Sequence, residues 1–451
     1  MHSAWLQMLK PAVVLGVLMV NVALPKFPVA APEQGPQPAV ALTKVETLTE
    51  LYHLRDRLGG ELSNYPTGMA VTRSGIGPPP AAVLDQLRAI NYRLQQEETA
   101  RQLQHRAEQA AAAAIALGNP ATLPATELAT AYTLWDKAVA ALNQIPPNTF
   151  GKAQAAAQKQ QYEQQRAIAA YHYDTARSAF LQPIVEQTGA PARVRLTVCS
   201  LQRECRRWQG HLPPASPASL IKVPVAIALM TKLQQSGVDP ATPLWVSPSN
   251  WTEDAGSIWV RTEYPVEQIM ADMLSASGNI ATNQLIDYIG WQGIQQSLQS
   301  RGYRATRVTR KLVGESTYPA NAGNTPNRIT TDELTDMMVA IYNREFPGAD
   351  RIEAALADQR DRNLGHAAVN SPIDWLGEKT GRNSKVLGTT TAVKVGSQRY
   401  IITATLDYSG NEAAMRSIVA GVSQHLLTYN GFEPEAARSE EVAIRTGTFL
   451  P

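Results

Sequence analysis

The stretch Ser219-Leu220-Ile221-Lys222 sets a hydroxyl and an amine three residues apart, and the apolar run Val223 to Met230 follows directly. It reads as a loop turning into a buried helix, where residues i and i+3 share a face. A helix N-terminus offers free N–H groups and the positive end of its dipole, which suits an oxygen that becomes negative during reaction. The apolar residues behind Lys222 predict a desolvated amine. Burial lowers a lysine pKa and lets the side chain act as a general base near neutrality. Taken alone, the pair also reads as a surface serine and lysine capping an ordinary core helix.

Two further clusters follow in order. Ser277-Gly278-Asn279 lies about 60 residues on, and Lys379-Thr380-Gly381 about 100 residues after that. A helix over 266–274 should lead into Ser277 and another over 280–289 should leave it. Alternating strand patterns at 193–198, 390–395 and 400–407 frame the third cluster. A closing amphipathic helix over 413–429 should turn Ile418, Val419, Val422 and Leu426 inward. Three such motifs in this order and at these gaps mark penicillin-recognising serine enzymes. From about Pro191 to Tyr429 the chain therefore resembles the class A β-lactamase family and its penicillin-binding relatives. More narrowly, it looks like the exported cyanobacterial penicillin-binding proteins that share the class A fold.

The resemblance implies roles. Ser219 would attack a carbonyl and Lys222 would take its proton. Ser277, aided by Lys379, would pass a proton to the leaving nitrogen. Asn279 would hold the substrate amide and Lys222, and the backbone N–H groups of Ser219 and Arg382 would form the oxyanion site. Lys379, Thr380 and Gly381 would line the seat of a substrate carboxylate. Arg382 would either add a second cation there or be a solvated edge-strand residue. Asn283 would brace the loop near 308–321, or serve packing alone. In class A β-lactamases that loop carries a Glu, followed four residues on by Asn, which together hold the deacylating water. Counting from Val308-Thr309-Arg310 puts Glu315 at the Glu position, Pro319 at the Asn position and Gly314 in place of a bulky neighbour. Without that water an acyl-enzyme formed from a β-lactam would persist. The expected activity is that of a D-alanyl-D-alanine peptidase acting on peptidoglycan stem peptides. The alternatives are a β-lactamase with Glu315 as deacylation base and a non-catalytic wall-binding protein.

The positioning elements sit in a chain of 451 residues, long enough for two or more domains. The expected fold class is α+β: an antiparallel sheet flanked by helices over 189–431, preceded by an all-α region over 43–188. In that region the segment around Leu134-Trp135, Ala138 and Leu142 resembles helical repeats of cyanobacterial exported proteins. Residues 32–42 read as a linker and 432–451 as a tail. The apolar run Pro11 to Leu24, with Val29-Ala30-Ala31 after it, reads as a signal peptide or an uncleaved membrane anchor over 1–31. Both readings place the rest outside the cytoplasm, in the periplasm or on the outer face of the inner membrane. Cys199 and Cys205 flank an expected hairpin, either as a disulfide or as two reduced thiols. Neither a metal site nor a cofactor is expected. A net charge of +2 with interspersed signs leaves no nucleic-acid footprint. There is no Gly-x-Ser-x-Gly elbow, no histidine in a motif context and no phosphate-binding glycine loop.

Overall fold

The computed structural model describes residues 45–63, 80–253 and 256–433, so the 1–31 segment, the 32–42 linker and the 432–451 tail from residue 434 on lie outside the described residues. The chain divides into two compact units. One comprises Met1–Gln102 and Pro146–Lys152, the other Leu103–Ile145 and Ala153–Pro451.

In the first unit, α1 (Leu48–Ser63) turns Leu51, Leu54 and Leu58 onto Val83, Ile90 and Leu94 of α2 (Pro80–Ala116). Helix α1 runs through Gly59 and Gly60. Leu51, Leu54 and Leu58 sit at helical spacing, and their shared burial outweighs the roughly 1 kcal/mol each glycine costs a helix. The Phe150 N–H donates to both oxygens of the buried Glu97 at 3.1 Å.

In the second unit, α3 (Ala125–Asn143) and α4 (Lys152–Ala176) pack through Trp135, Ala138, Leu142, Tyr162 and Ala169. Helix α4 ends at Ala176, and a short α5 (Leu181–Glu186) follows. Beyond it, β1 (Val194–Ser200) and β2 (Cys205–Trp208) form the expected hairpin. Cys199 stands directly opposite Cys205, and the two are joined by a disulfide. Then come α6 (Lys222–Ser236), β3 (Pro243–Trp245), β4 (Glu263–Pro265), α7 (Val266–Ser275), α8 (Asn279–Ile289), α9 (Trp291–Gln299), α10 (Thr331–Tyr342), α11 (Ala349–Ala357) and α12 (Gly365–Ala368). The chain closes with β5 (Ile373–Asn383), β6 (Val386–Val395), β7 (Gln398–Asp407) and α13 (Glu412–Tyr429). The stretch 237–262 supplies β3, which pairs with β4 as a two-stranded ribbon. Thr330 caps α10: its hydroxyl accepts from the Glu333 N–H at 3.2 Å.

The main sheet is antiparallel, in the order β2-β1-β7-β6-β5. One face packs on α13 through Ile418, Val419, Val422 and Leu426, all fully buried. Helix α6 lies in the other core, which Ile227, Leu229, Met273 and Leu285 fill. The outer edge at β2 is closed by α4 and the turn after it. Asp174 accepts from the Cys205 N–H at 3.0 Å and Ser178 Oγ from the Arg207 N–H at 2.8 Å. Burial pushes the Asp174 carboxyl above its usual range, while Arg207, Arg206 and Arg177 pull it back. Arg206 is itself fully buried. Removing one partner from such a cluster leaves uncompensated buried charge, so Asp174→Ala is expected to cost about 3–5 kcal/mol, read as a shift in the urea midpoint.

Candidate active site

Residues Ala218–Ile221 form a single 3-10 turn that runs into α6, so Ser219 and Lys222 eclipse one another on its surface. Ala218, just before Ser219, has a φ of 43°, a conformation rare outside glycine. Ser219 is half-buried, while Lys222 is fully buried under the apolar residues that follow it. The Lys222 amine points at the second motif: Nζ meets the Ser277 carbonyl, Ser277 Oγ at 3.1 Å and Asn279 Oδ1 at 2.9 Å. Ser277 is also held at positive φ, 62°. Backbone strain beside two candidate reacting hydroxyls is the kind that functional sites retain.

The third motif reaches the same hydroxyl from the far edge of the sheet. On β5, Glu378 and Lys379 point to opposite faces. Lys379 Nζ donates to Ser277 Oγ at 3.1 Å and to the Thr380 carbonyl at 2.9 Å. Burial drives its pKa down to about 7, against the raising influence of Asp361 and Glu378. Glu378 is buried beneath, accepting from the Gly365 N–H and from Thr389 and Thr391, and burial raises its pKa. Gly381 lets β5 pass against the nucleophile turn. A Cβ there would stand 3.0 Å from the Leu220 nitrogen and 3.1 Å from the Ser219 nitrogen. The backbone N–H of Arg382 follows at once along the edge. Its guanidinium is already engaged, donating to Glu412 at 2.7 Å and Asp361 at 3.2 Å. It is therefore a neutralised edge-strand cation, not a free one.

The loop from 306 to 330 is closed at its neck by pairing of Arg307 with Arg328. Asn283, fully buried on α8, braces it twice: Nδ2 donates to the Leu312 carbonyl and Oδ1 accepts from the Leu312 N–H, both at 2.8 Å. The buried Lys311 ammonium adds bonds to Asn250, Asp287 and the Ala320 carbonyl, each at 2.8 Å. Glu315, placed at the deacylating position by counting, is exposed, and Pro319 is buried. The carboxylate bonded into this part of the loop is Glu253, which accepts from Ser316 Oγ at 2.6 Å and Thr317 Oγ1 at 2.8 Å. Those hydroxyls hold its pKa down to about 2. A side chain at Gly314 would collide with it.

Ser219, Lys222, Ser277, Asn279, Lys379 and Gly381 thus converge on one place from a helix start, an interhelical turn and a sheet edge. Sequence reasoning missed Asp361, which bonds Arg382 and acts on Lys379. It is set there because the Arg360 N–H donates to the Ser275 carbonyl at 3.0 Å and Gln359 bridges the Leu274 and Glu378 carbonyls. No spacing in the sequence announces such a contact.

The sequence pattern of the β-lactamase enzyme family matches residues 180–430. The chain belongs to that family. It is a serine hydrolase on a β-lactamase fold, with helices ahead of the antiparallel sheet domain. Similar solved structures include a β-lactamase of Sphaerobacter thermophilus, 19% identical with a TM-score of 0.49, the match covering 57% of this chain and 98% of that one. PBP-A is 20% identical with a TM-score of 0.48, covering 56% and 97%. An ancestral class A β-lactamase is 16% identical with a TM-score of 0.48, covering 55% and 99%. No curated protein matches this β-lactamase-family chain at a significant level.

Proposed function

We propose that this hydrolase is a penicillin-binding D-alanyl-D-alanine peptidase that acts on peptidoglycan stem peptides outside the cytoplasm. The observation that carries the reading is the Ser277 hydroxyl held between two buried lysines, each 3.1 Å away. An oxygen that accepts from both sides keeps its own proton free to point elsewhere, toward a leaving nitrogen. Ser219 Oγ attacks the carbonyl and its proton passes to Lys222 Nζ. The oxyanion takes the N–H groups of Ser219 and Arg382. The C–N bond breaks as Ser277 protonates the departing amine, and Lys222 restores the Ser277 proton across their hydrogen bond. Water then cleaves the acyl ester. Lys379 and Thr380 receive the terminal carboxylate of the substrate or of a β-lactam. The exposure of Glu315 favours slow deacylation of a β-lactam, hence a penicillin target over a β-lactamase. The Cys199–Cys205 disulfide and the apolar run 11–24 support export, to the periplasm or to the outer face of the inner membrane.

A fluorescent penicillin should label the wild type covalently and leave Ser219→Ala unlabelled, and an unlabelled wild type would overturn the reading. Rapid nitrocefin turnover lost in Glu315→Ala would establish the β-lactamase instead. Stem-peptide binding by a chain that never forms an acyl-enzyme would identify a non-catalytic wall binder.

The Lys379 pKa sets a pH dependence. Above pH 7 the ammonium is lost, so acylation efficiency toward a carboxylate-bearing penicillin should fall by up to about tenfold per pH unit. Stopped-flow labelling from pH 6 to 9 measures it. Stability moves the other way. The folded pKa lies below the ordinary 10.5, so the unfolded chain binds more protons between about 7 and 10.5, and stability rises with pH across that window.

A further inference from the structure

The middle residue of the second motif is Gly278, where class A enzymes carry aspartate in Ser-Asp-Asn. A carboxylate is nonetheless present at that spot, delivered from another element. Asp272, in the last turn of α7, is 5% exposed. A Cβ built on Gly278 would lie 2.1 Å from Asp272 Oδ2 and 3.2 Å from its Cγ. The Asp272 side chain therefore fills the space into which a residue at 278 would project. Its other oxygen, Oδ1, accepts from the Ser257 N–H and the Ser257 hydroxyl, both at 2.6 Å. Its backbone carbonyl accepts from the Ala276 N–H at 3.1 Å and the Gly278 N–H at 3.2 Å. The Asp272 main chain thus closes the turn that holds Ser277 at positive φ, while its carboxylate packs against Gly278 and ties the turn to Ser257.

We propose that Asp272 is the positioning residue of the Ser277 turn, supplying from α7 the carboxylate that the motif itself lacks. Gly278 and Asp272 then form a compensating pair: the glycine is required because the carboxylate is there. A strained turn without its brace relaxes, and Ser277 Oγ leaves the point where Lys222 and Lys379 meet. Asp272 touches no reacting atom and acts through Ser277 alone. The proposal rests on the reading of Ser277 as proton donor to the leaving group.

Its test moves the carboxylate. In the full-length protein, the second-order rate of labelling by fluorescent penicillin is measured for wild type, Asp272→Ala, Asp272→Asn, Gly278→Asp and the double variant Asp272→Ala with Gly278→Asp. Asp272→Ala should slow labelling about 10- to 100-fold, the scale of a small misplacement of a reacting group. Asp272→Asn, keeping the volume and one acceptor, should fall between. Gly278→Asp should also be slow, because two side chains contend for one space. The double variant should recover most of the lost rate. Labelling at the wild-type rate in Asp272→Ala, or a double variant no faster than the slower single one, overturns the proposal. If Asp272→Ala fails to fold, the comparison of Gly278→Asp with the double variant decides: a folded, labelling double variant supports the pair and an unfolded one overturns it. Failure of the wild type to label at all would count against the peptidase reading and not against this pairing.

Discussion

Lys222→Met should slow acylation of Ser219 by about 10³-fold, within the 10²–10⁴ that a positioned general base contributes. Lys222 is fully buried and bonds the Ser277 carbonyl, Ser277 Oγ and Asn279 Oδ1. Deleting the amine strands these acceptors, for a stability loss of about 1–3 kcal/mol. That separation makes the variant informative. Labelling that falls a thousandfold in a protein whose urea midpoint moves little assigns the loss to chemistry. A rate within tenfold of wild type would mean that another group takes the serine proton.

Gly381→Ala should carry the second largest penalty, about 10²-fold in acylation. The added methyl group would sit 3.0 Å from the Leu220 nitrogen and 3.1 Å from the Ser219 nitrogen. Both are backbone atoms in a turn already strained at Ala218, so neither yields as a flexible side chain would. Edge strand and nucleophile turn must part, separating the Ser219 and Arg382 N–H groups that would share an oxyanion. Because the damage falls on the transition state, the maximal acylation rate should drop while the concentration for half-maximal rate changes little. Saturation kinetics with a slow-reacting penicillin resolves the two, and a loss confined to half-saturation would argue against the oxyanion assignment.

The parts of this site that were legible in the sequence are those in which local geometry and chemistry coincide. Ser219 and Lys222 are three residues apart, and any helical turn brings them together. The strand alternation around Lys379 and the inward face of α13 follow from period alone. The second motif was legible only through its order relative to the others. Ser409-Gly410-Asn411 repeats the same triplet, yet there Asn411 merely caps α13 by accepting from the Ala414 N–H. For the loop after α9, counting alone supplies no fixed register. Its path is set by Asn283, Lys311 and Glu253, three residues that no sequence interval relates to Glu315. Asp361 and Asp272 were invisible for the same reason: each reaches the site from a segment placed by packing.

The closure of β2 by α4 bears on how this enzyme can be cut. A fragment begun at residue 189, where composition changes, would discard Asp174 and Ser178 and leave the Cys205 and Arg207 amides bare on an outermost strand. Such a rim invites another chain to add to it. The helical segment ahead of the hydrolase is thus also its guard against self-association, and a soluble catalytic fragment must begin upstream of α4.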